Sequence, residues 1–226
     1  MRYAVLAVLA VDVAFVAAGV LGQPAYLHER DSAAYLVEAV VMLAVYGVLT
    51  VLLTRRVSAG RVRVLRVAGL TGLVLGTVEA VNISVETFAG LSGALGLVPT
   101  APLVLGPFLV WSVLSGWSAR VSGSSRVGVL AALWCAMVTM VVGVTFGFLL
   151  ALIVPGRLAA LLLDSPEFQR SGWSDVHAFV LANTFDNGFT HLLGGLVVAS
   201  LVGVVGAVVG TGQTQPRPAG QGSAGT

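Results

Sequence analysis

The chain contains no lysine; all 12 of its basic residues are arginine. That absence removes Schiff-base chemistry on retinal or pyridoxal phosphate, and it removes the phosphate-binding lysine of a P-loop. The single cysteine, Cys135, lies inside an apolar run. It has no partner for an intramolecular disulfide and cannot build a cysteine-based metal site, so packing is its expected role. Charge of either sign is scarce at 10% of residues, and the formal net charge of +2 is too small for a nucleic-acid binder. No G-x-S-x-G or other nucleophile motif is present, and no H-E-x-x-H, H-x-x-x-H or D-x-x-x-D spacing.

What the chain does have is apolar surface. Of its 226 residues 57% are hydrophobic and the mean hydropathy is +0.97, far above a soluble domain. The expected fold is an all-α integral membrane protein: one polytopic domain over residues 1–210, a bundle of about six transmembrane helices, and a disordered cytoplasmic tail over 211–226. Six runs reach spanning length, at residues 3–21, 33–54, 64–86, 100–117, 127–154 and 189–210. The first follows Arg2 as a signal peptide would, but Asp12 interrupts it and no A-x-A site follows, so an uncleaved helix is expected.

Arginine placement sets the orientation, because basic residues are retained in the cytoplasm during insertion. With six spans and both termini inside, Arg2, Arg55, Arg56, Arg61, Arg63, Arg66, Arg120, Arg126 and Arg217 are cytoplasmic, and only Arg30, Arg157 and Arg170 are outside. The loop "RRVSAGRVRVLR" carries five of them and reads as the topology anchor, in contact with anionic lipid. The acids run the other way. Glu29, Asp31, Glu86, Asp164, Glu167, Asp175 and Asp186 fall on or near the outer side, and Asp12, Glu38 and Glu79 fall within helices. The expected location is the cell membrane, with lipids as neighbours and a homo-oligomer or membrane partner left open.

Two connections are distinctive. Residues 155–188 form a long outer segment in which Pro155 ends the fifth span. "DSPEF" places Ser165 and Pro166 at the cap and first turn of a short interfacial helix, and "SGWSDVHAFVLANTF" predicts a second one with Ser174 as its N-cap. The stretch "AGLSGALGLVPTAP" reads as an interfacial loop or a re-entrant piece.

The third span holds the most informative face. At 100° per residue Gly72, Gly76, Glu79, Asn82 and Glu86 lie within about 120°, so a close-packing glycine surface continues outward into polar residues. Glu79 lies about 10 Å deeper than Glu86 at 1.5 Å per residue, and Glu86, at the helix end, is expected to face solvent. Glu38 belongs at a similar outer depth and Asp12 nearer the middle. A carboxyl held away from water is a natural proton carrier or acid, which makes Glu79 and Asp12 functional candidates. The plain alternative is that such groups are hydrogen-bonded packing features.

In "ANTFDNGFTHLL", residues 182–193, a continuous helix would put Asn183, Asp186, Asn187 and Thr190 on one face with His191 at its edge. "DNG", however, is a strong turn signal, and the expectation is that it ends a surface helix at Asn187 and Gly188 and starts the last span at Phe189. Either way His191 reaches the depth of Glu79. His191, Asp186, Glu79 and Glu38 are of a type that could hold a divalent ion, without any diagnostic spacing. The glycines of "GVTFG" and "GAVVG" read as helix-packing surfaces.

Three function classes fit. The first is a small transporter whose outward pocket, built from Glu38, Glu79, Asn82, Asn183, Asp186, Asn187 and His191, binds a proton or cation with a small solute. The second is an intramembrane enzyme acting on a lipid or isoprenoid, with Glu79 as acid and Asp186 or His191 as base or metal ligand. The third is a non-catalytic subunit that docks a partner through Phe168, Trp173 and Phe179.

Overall fold

The computed structural model describes residues 2–55, 59–89 and 94–212, with the backbone alone at 59, 89 and 94–104. The helices are α1 (Arg2–Gly22), α2 (Ser32–Thr54), α3 (Ala59–Ala89), α4 (Ala94–Ser122), α5 (Ser125–Ile153), α6 (Pro155–Leu162), α7 (Pro166–Ser171) and α8 (Val176–Gly212), with a 3-10 turn at Pro24–His28. No strand occurs among the described residues. Five helices, α1, α2, α3, α5 and α8, are long and apolar enough to cross a membrane.

The bundle is built around α5. Half of its most apolar stretch (50%) is buried, against 28–33% in the other four, because α5 alone packs against α1, α3, α4 and α8. Small residues make those approaches close enough for backbones to meet. On α3, a Cβ at Gly76 would come within 2.6 Å of the Val142 Cβ, and one at Gly72 would collide with the Cys135 carbonyl. The expected Gly72–Gly76 surface therefore faces α5, and Thr139 stitches it by donating to the Gly72 carbonyl at 3.2 Å. "GAVVG" behaves as expected: Gly206 and Gly210 sit directly on Ser112 and Gly116 of α4, beside the bond from Ser115 Oγ to the Gly203 carbonyl at 2.6 Å. Across the bundle α2 lies on α1 and α8, where the buried Tyr46 hydroxyl donates to the Leu192 carbonyl at 2.8 Å.

Several sequence expectations are corrected. "DNG" makes no turn, because α8 runs unbroken from Val176 to Gly212 and absorbs the predicted surface helix. Tertiary packing overrides the local signal: Phe185 is buried against Phe148 and Tyr26, and a Cβ at Gly188 would lie 3.3 Å from the Phe148 ring. The stretch expected as loop or re-entrant is helical from Ala94 onward, extending α4 outward; residues 90–93 lie outside the described residues. Much of the "RRVSAGRVRVLR" loop is the first turns of α3, which carry Arg61, Arg63 and Arg66; Arg56 lies outside the described residues. Thr211 and Gly212 still belong to α8, and the rest of the predicted tail, with Arg217, lies outside the described residues.

At the outer end, Ser165 caps α7 as expected, accepting from the Phe168 amide at 3.1 Å, and Gly172 leaves that helix at φ +73°, which a side chain would disfavour. Ser174, however, is not the cap of α8. Asp175 is, its Oδ1 accepting from the amides of His177 (2.7 Å) and Ala178 (3.1 Å). Ser174 is instead taken up by Glu29, whose Oε1 accepts from Ser174 N, Ser174 Oγ and Asp175 N at 3.0, 2.6 and 3.1 Å. The α1–α2 connection thereby clamps the start of α8. Replacing Glu29 by alanine leaves the two amides without their acceptor and is expected to cost about 1–2 kcal/mol. A thermal melt in detergent reads this as a fall of roughly 3–6 °C, with Glu29→Gln recovering part of it.

Beside this clamp, Tyr26, Tyr35, Phe168, Trp173 and Phe179 form a continuous aromatic contact. Burial pushes the Tyr26 hydroxyl above its ordinary pKa, so it remains a donor to the Ser32 carbonyl at 2.6 Å. Trp173 and Phe179 are each 8% exposed. Of the three side chains expected to dock a partner, these two are therefore buried within the chain and Phe168 is half-buried.

Candidate functional site

α3 and α8 flank α5, and in the half of the bundle next to α6 a cavity of about 420 Å³ opens between them. The α3 wall carries Glu79, Asn82 and Glu86, spaced three and four residues apart and hence on one face. The α8 wall carries Asn183, Asn187 and His191, again four apart, a stripe that exists only because α8 continues through "DNG". The floor is α5, where Gly143 and Gly147 replace side chains, and Leu158 of α6 stands at the outer end.

Each polar group has a definite setting. Asn82, 6% exposed, donates from Nδ2 to Glu86 Oε1 at 3.0 Å. Glu86 is exposed, as expected of a helix end, and this bond holds it at the mouth of the cavity. Glu79, half-buried, lies within electrostatic range of both His191 and Glu86. His191 Nδ1 donates to the Asn187 carbonyl one turn back at 2.8 Å, since a carbonyl oxygen can only accept. Its Nε2 is thereby left as the nitrogen available to accept or bind a proton. Arg157 of α6 closes the outer end of α3: its guanidinium donates to the Thr87 carbonyl at 3.2 Å and the Phe88 carbonyl at 3.4 Å. A cation belongs there, where the last carbonyls of a helix are unpaired.

Of the two glycines of "GVTFG", Gly143 packs α5 on the Glu79 side chain of α3 as expected, whereas Gly147 faces open space. A Cβ on Gly143 would lie 3.2 Å from Glu79 Cγ, and one on Gly147 would meet nothing within 4 Å. They make the floor of the cavity. Glycine at helical spacing looks the same in a packing role as in a lining one, and no sequence signal marks Phe148 as a wall of the cavity.

The other candidates lie apart. Asp186 faces a second cavity of about 370 Å³ with Tyr35, Glu167 and Arg170, and Asn183 borders both. Glu38 lines neither cavity and lies within electrostatic range of Tyr35. Asp12 is fully buried on the α1 face that meets α5, beside Thr145, with no hydrogen-bond partner for either oxygen. The Thr145 hydroxyl spends its proton on the Val141 carbonyl at 2.7 Å and can only accept from that side. The four-ligand set of His191, Asp186, Glu79 and Glu38 is therefore not assembled, and no group of three or more metal-ligating side chains occurs among the described residues.

No protein-family model, no curated protein and no solved structure matches the chain.

Proposed function

We propose that the chain is a small multi-pass membrane transporter whose outward-facing cavity between α3, α5 and α8 binds a proton or cation together with a small polar solute. The observation that carries this reading is the cavity itself. It is large enough for a small solute, floored by glycine, and lined by Glu79 and Glu86 on one wall and by carboxamides and an imidazole on the other. Carboxylates at such depth favour a cationic or protonated occupant. Membrane insertion is supported by the five long apolar helices and by the valines and leucines exposed along their outer faces, such as Val37, Val48, Leu73, Val74 and Leu201. α4 supplies a sixth span. The bias of arginine to one side supports an orientation with both termini in the cytoplasm and the cavity outside.

Glu79 is the coupling carboxylate, and purified protein in vesicles with an imposed proton gradient tests its role. Glu79→Gln, which keeps size and hydrogen bonding but not charge exchange, is expected to reduce gradient-driven uptake by at least about tenfold, equivalent to 1.4 kcal/mol. Uptake at the wild-type rate would remove the carboxylate from the mechanism.

One observation favours a second reading. Glu79 and His191 line the same cavity within electrostatic range of each other, and a carboxyl and an imidazole are the groups that an intramembrane enzyme acting on a lipid or isoprenoid would use for acid–base chemistry. Turnover of a lipid or polyprenyl substrate by the purified protein, abolished by both Glu79→Gln and His191→Ala, would favour that reading over transport.

A further inference from the structure

A second groove, about 380 Å³, lies at the opposite end of the bundle between the start of α5 and the end of α8. Its walls are Val129 and Leu130 on one side and Val204, Ala207 and Val208 on the other, and its polar end is Arg126. We propose that this groove binds an anionic phospholipid of the cytoplasmic leaflet, with an acyl chain along the valines and the phosphate at the Arg126 guanidinium. The proposal rests on the membrane reading and the orientation given above.

The groove exists because α8 turns its small residues inward here. Gly203 sits against Ala132 and Val129, and Gly206 and Gly210 against α4, so no large side chain of α8 is directed across the gap toward α5. Val204 and Val208 stand open on its rim, 52% and 62% exposed. An apolar groove alone would be filled by any lipid, since lipid tails are as apolar as the walls. Charge selects the occupant. Arg126 is exposed, and the ion pairs among the described residues, Arg30–Asp31 and Arg170–Glu167, both lie at the other end of the molecule. All ten acids of the chain fall in the outer parts or the helix interiors, none beside Arg120 or Arg126. The countercharge must therefore come from outside the chain. The segment beyond Gly212 is a poor occupant, because "QTQPRPAGQGSAGT" holds Arg217 and no acidic side chain.

The test uses the full chain in detergent micelles, with phosphatidylglycerol and phosphatidylcholine of identical acyl chains added in equal amounts and retained lipid counted by native mass spectrometry. One basic residue near the headgroup predicts a preference of about fivefold for phosphatidylglycerol. Arg126→Gln is expected to abolish that preference, Arg61→Gln to leave it intact, and Val204→Trp, which fills the groove, to lower retention of both lipids. An unchanged preference in Arg126→Gln overturns the proposal, as does equal loss in Arg61→Gln, which would mark general surface charge. Improved retention on removing residues 213–226 would make the tail the resident occupant and also overturn it. If the chain instead stays monodisperse in plain buffer and retains neither lipid, the membrane reading itself falls.

Discussion

Substituting Gly206 by valine is expected to give the largest loss of stability of any single change in this protein. A Cβ there runs into the Ser112 carbonyl, and backbone cannot move aside as a flexible side chain can. The partner glycine one turn on, Gly210, is pressed equally closely on Gly116, so α4 and α8 have no slack on either side of the contact. Overpacking of this kind costs about 3 kcal/mol or more. At roughly 2–4 °C per kcal/mol for a chain of this size, the melting point in detergent should fall by about 10 °C, or folded protein should not be recovered. The same substitution at Gly212, where a Cβ meets nothing within 4 Å, is the control and should be silent. Equal melting of the Gly206 and Gly212 variants would show that α4 and α8 are not in this contact.

Gly147→Phe is expected to have the largest effect on function with none on the fold. Gly147 lies about two turns before the end of α5 with open space before it, and that space is the cavity. Any side chain raises helix propensity over glycine, by up to about 1 kcal/mol, so the melting temperature should hold or rise. A phenyl ring would project into the cavity that Glu79 and His191 line, and uptake should drop to background, a loss on the order of a hundredfold. Proteoliposome uptake beside a thermal melt separates the two effects. A Gly147→Phe protein that is stable and transports normally would place the solute elsewhere. A milder companion, Gly143→Ala, brings a methyl to 3.2 Å from Glu79 Cγ and should shift apparent affinity rather than abolish uptake.

These two glycines mark how far the sequence could be read. "GAVVG" and "GVTFG" carry the same small-x-x-x-small spacing, and the spacing states only that two glycines share a face. Gly206 and Gly210 face a neighbouring backbone, Gly143 faces the Glu79 side chain, and Gly147 faces a void. What lies opposite is a property of the assembled bundle. The same limit applies to the acids. Periodicity along α3 placed Glu79, Asn82 and Glu86 together because that relation is internal to one helix. Whether His191 or Glu38 joins them depends on how α2 and α8 pack around α5, and only His191 does. The "DNG" error has a different origin. Asn and Gly at a turn are a local preference of about 1 kcal/mol or less per residue, and the burial of Phe185 with the close seat of Gly188 on Phe148 outweighs it.

The sequence by itself determined the class: an all-helical chain with apolar helices of membrane-spanning length. Those properties are sums over residues and need no knowledge of neighbours. The tertiary structure alone decided which polar groups meet. It put Asp12 in the core without a hydrogen-bond partner, left Glu38 outside both outer cavities, and set Asp186 in the cavity next door. It brought Glu79 and Glu86 to face His191, Asn183 and Asn187 across a glycine floor, because two helices that are far apart in the chain come into register only when both pack on α5.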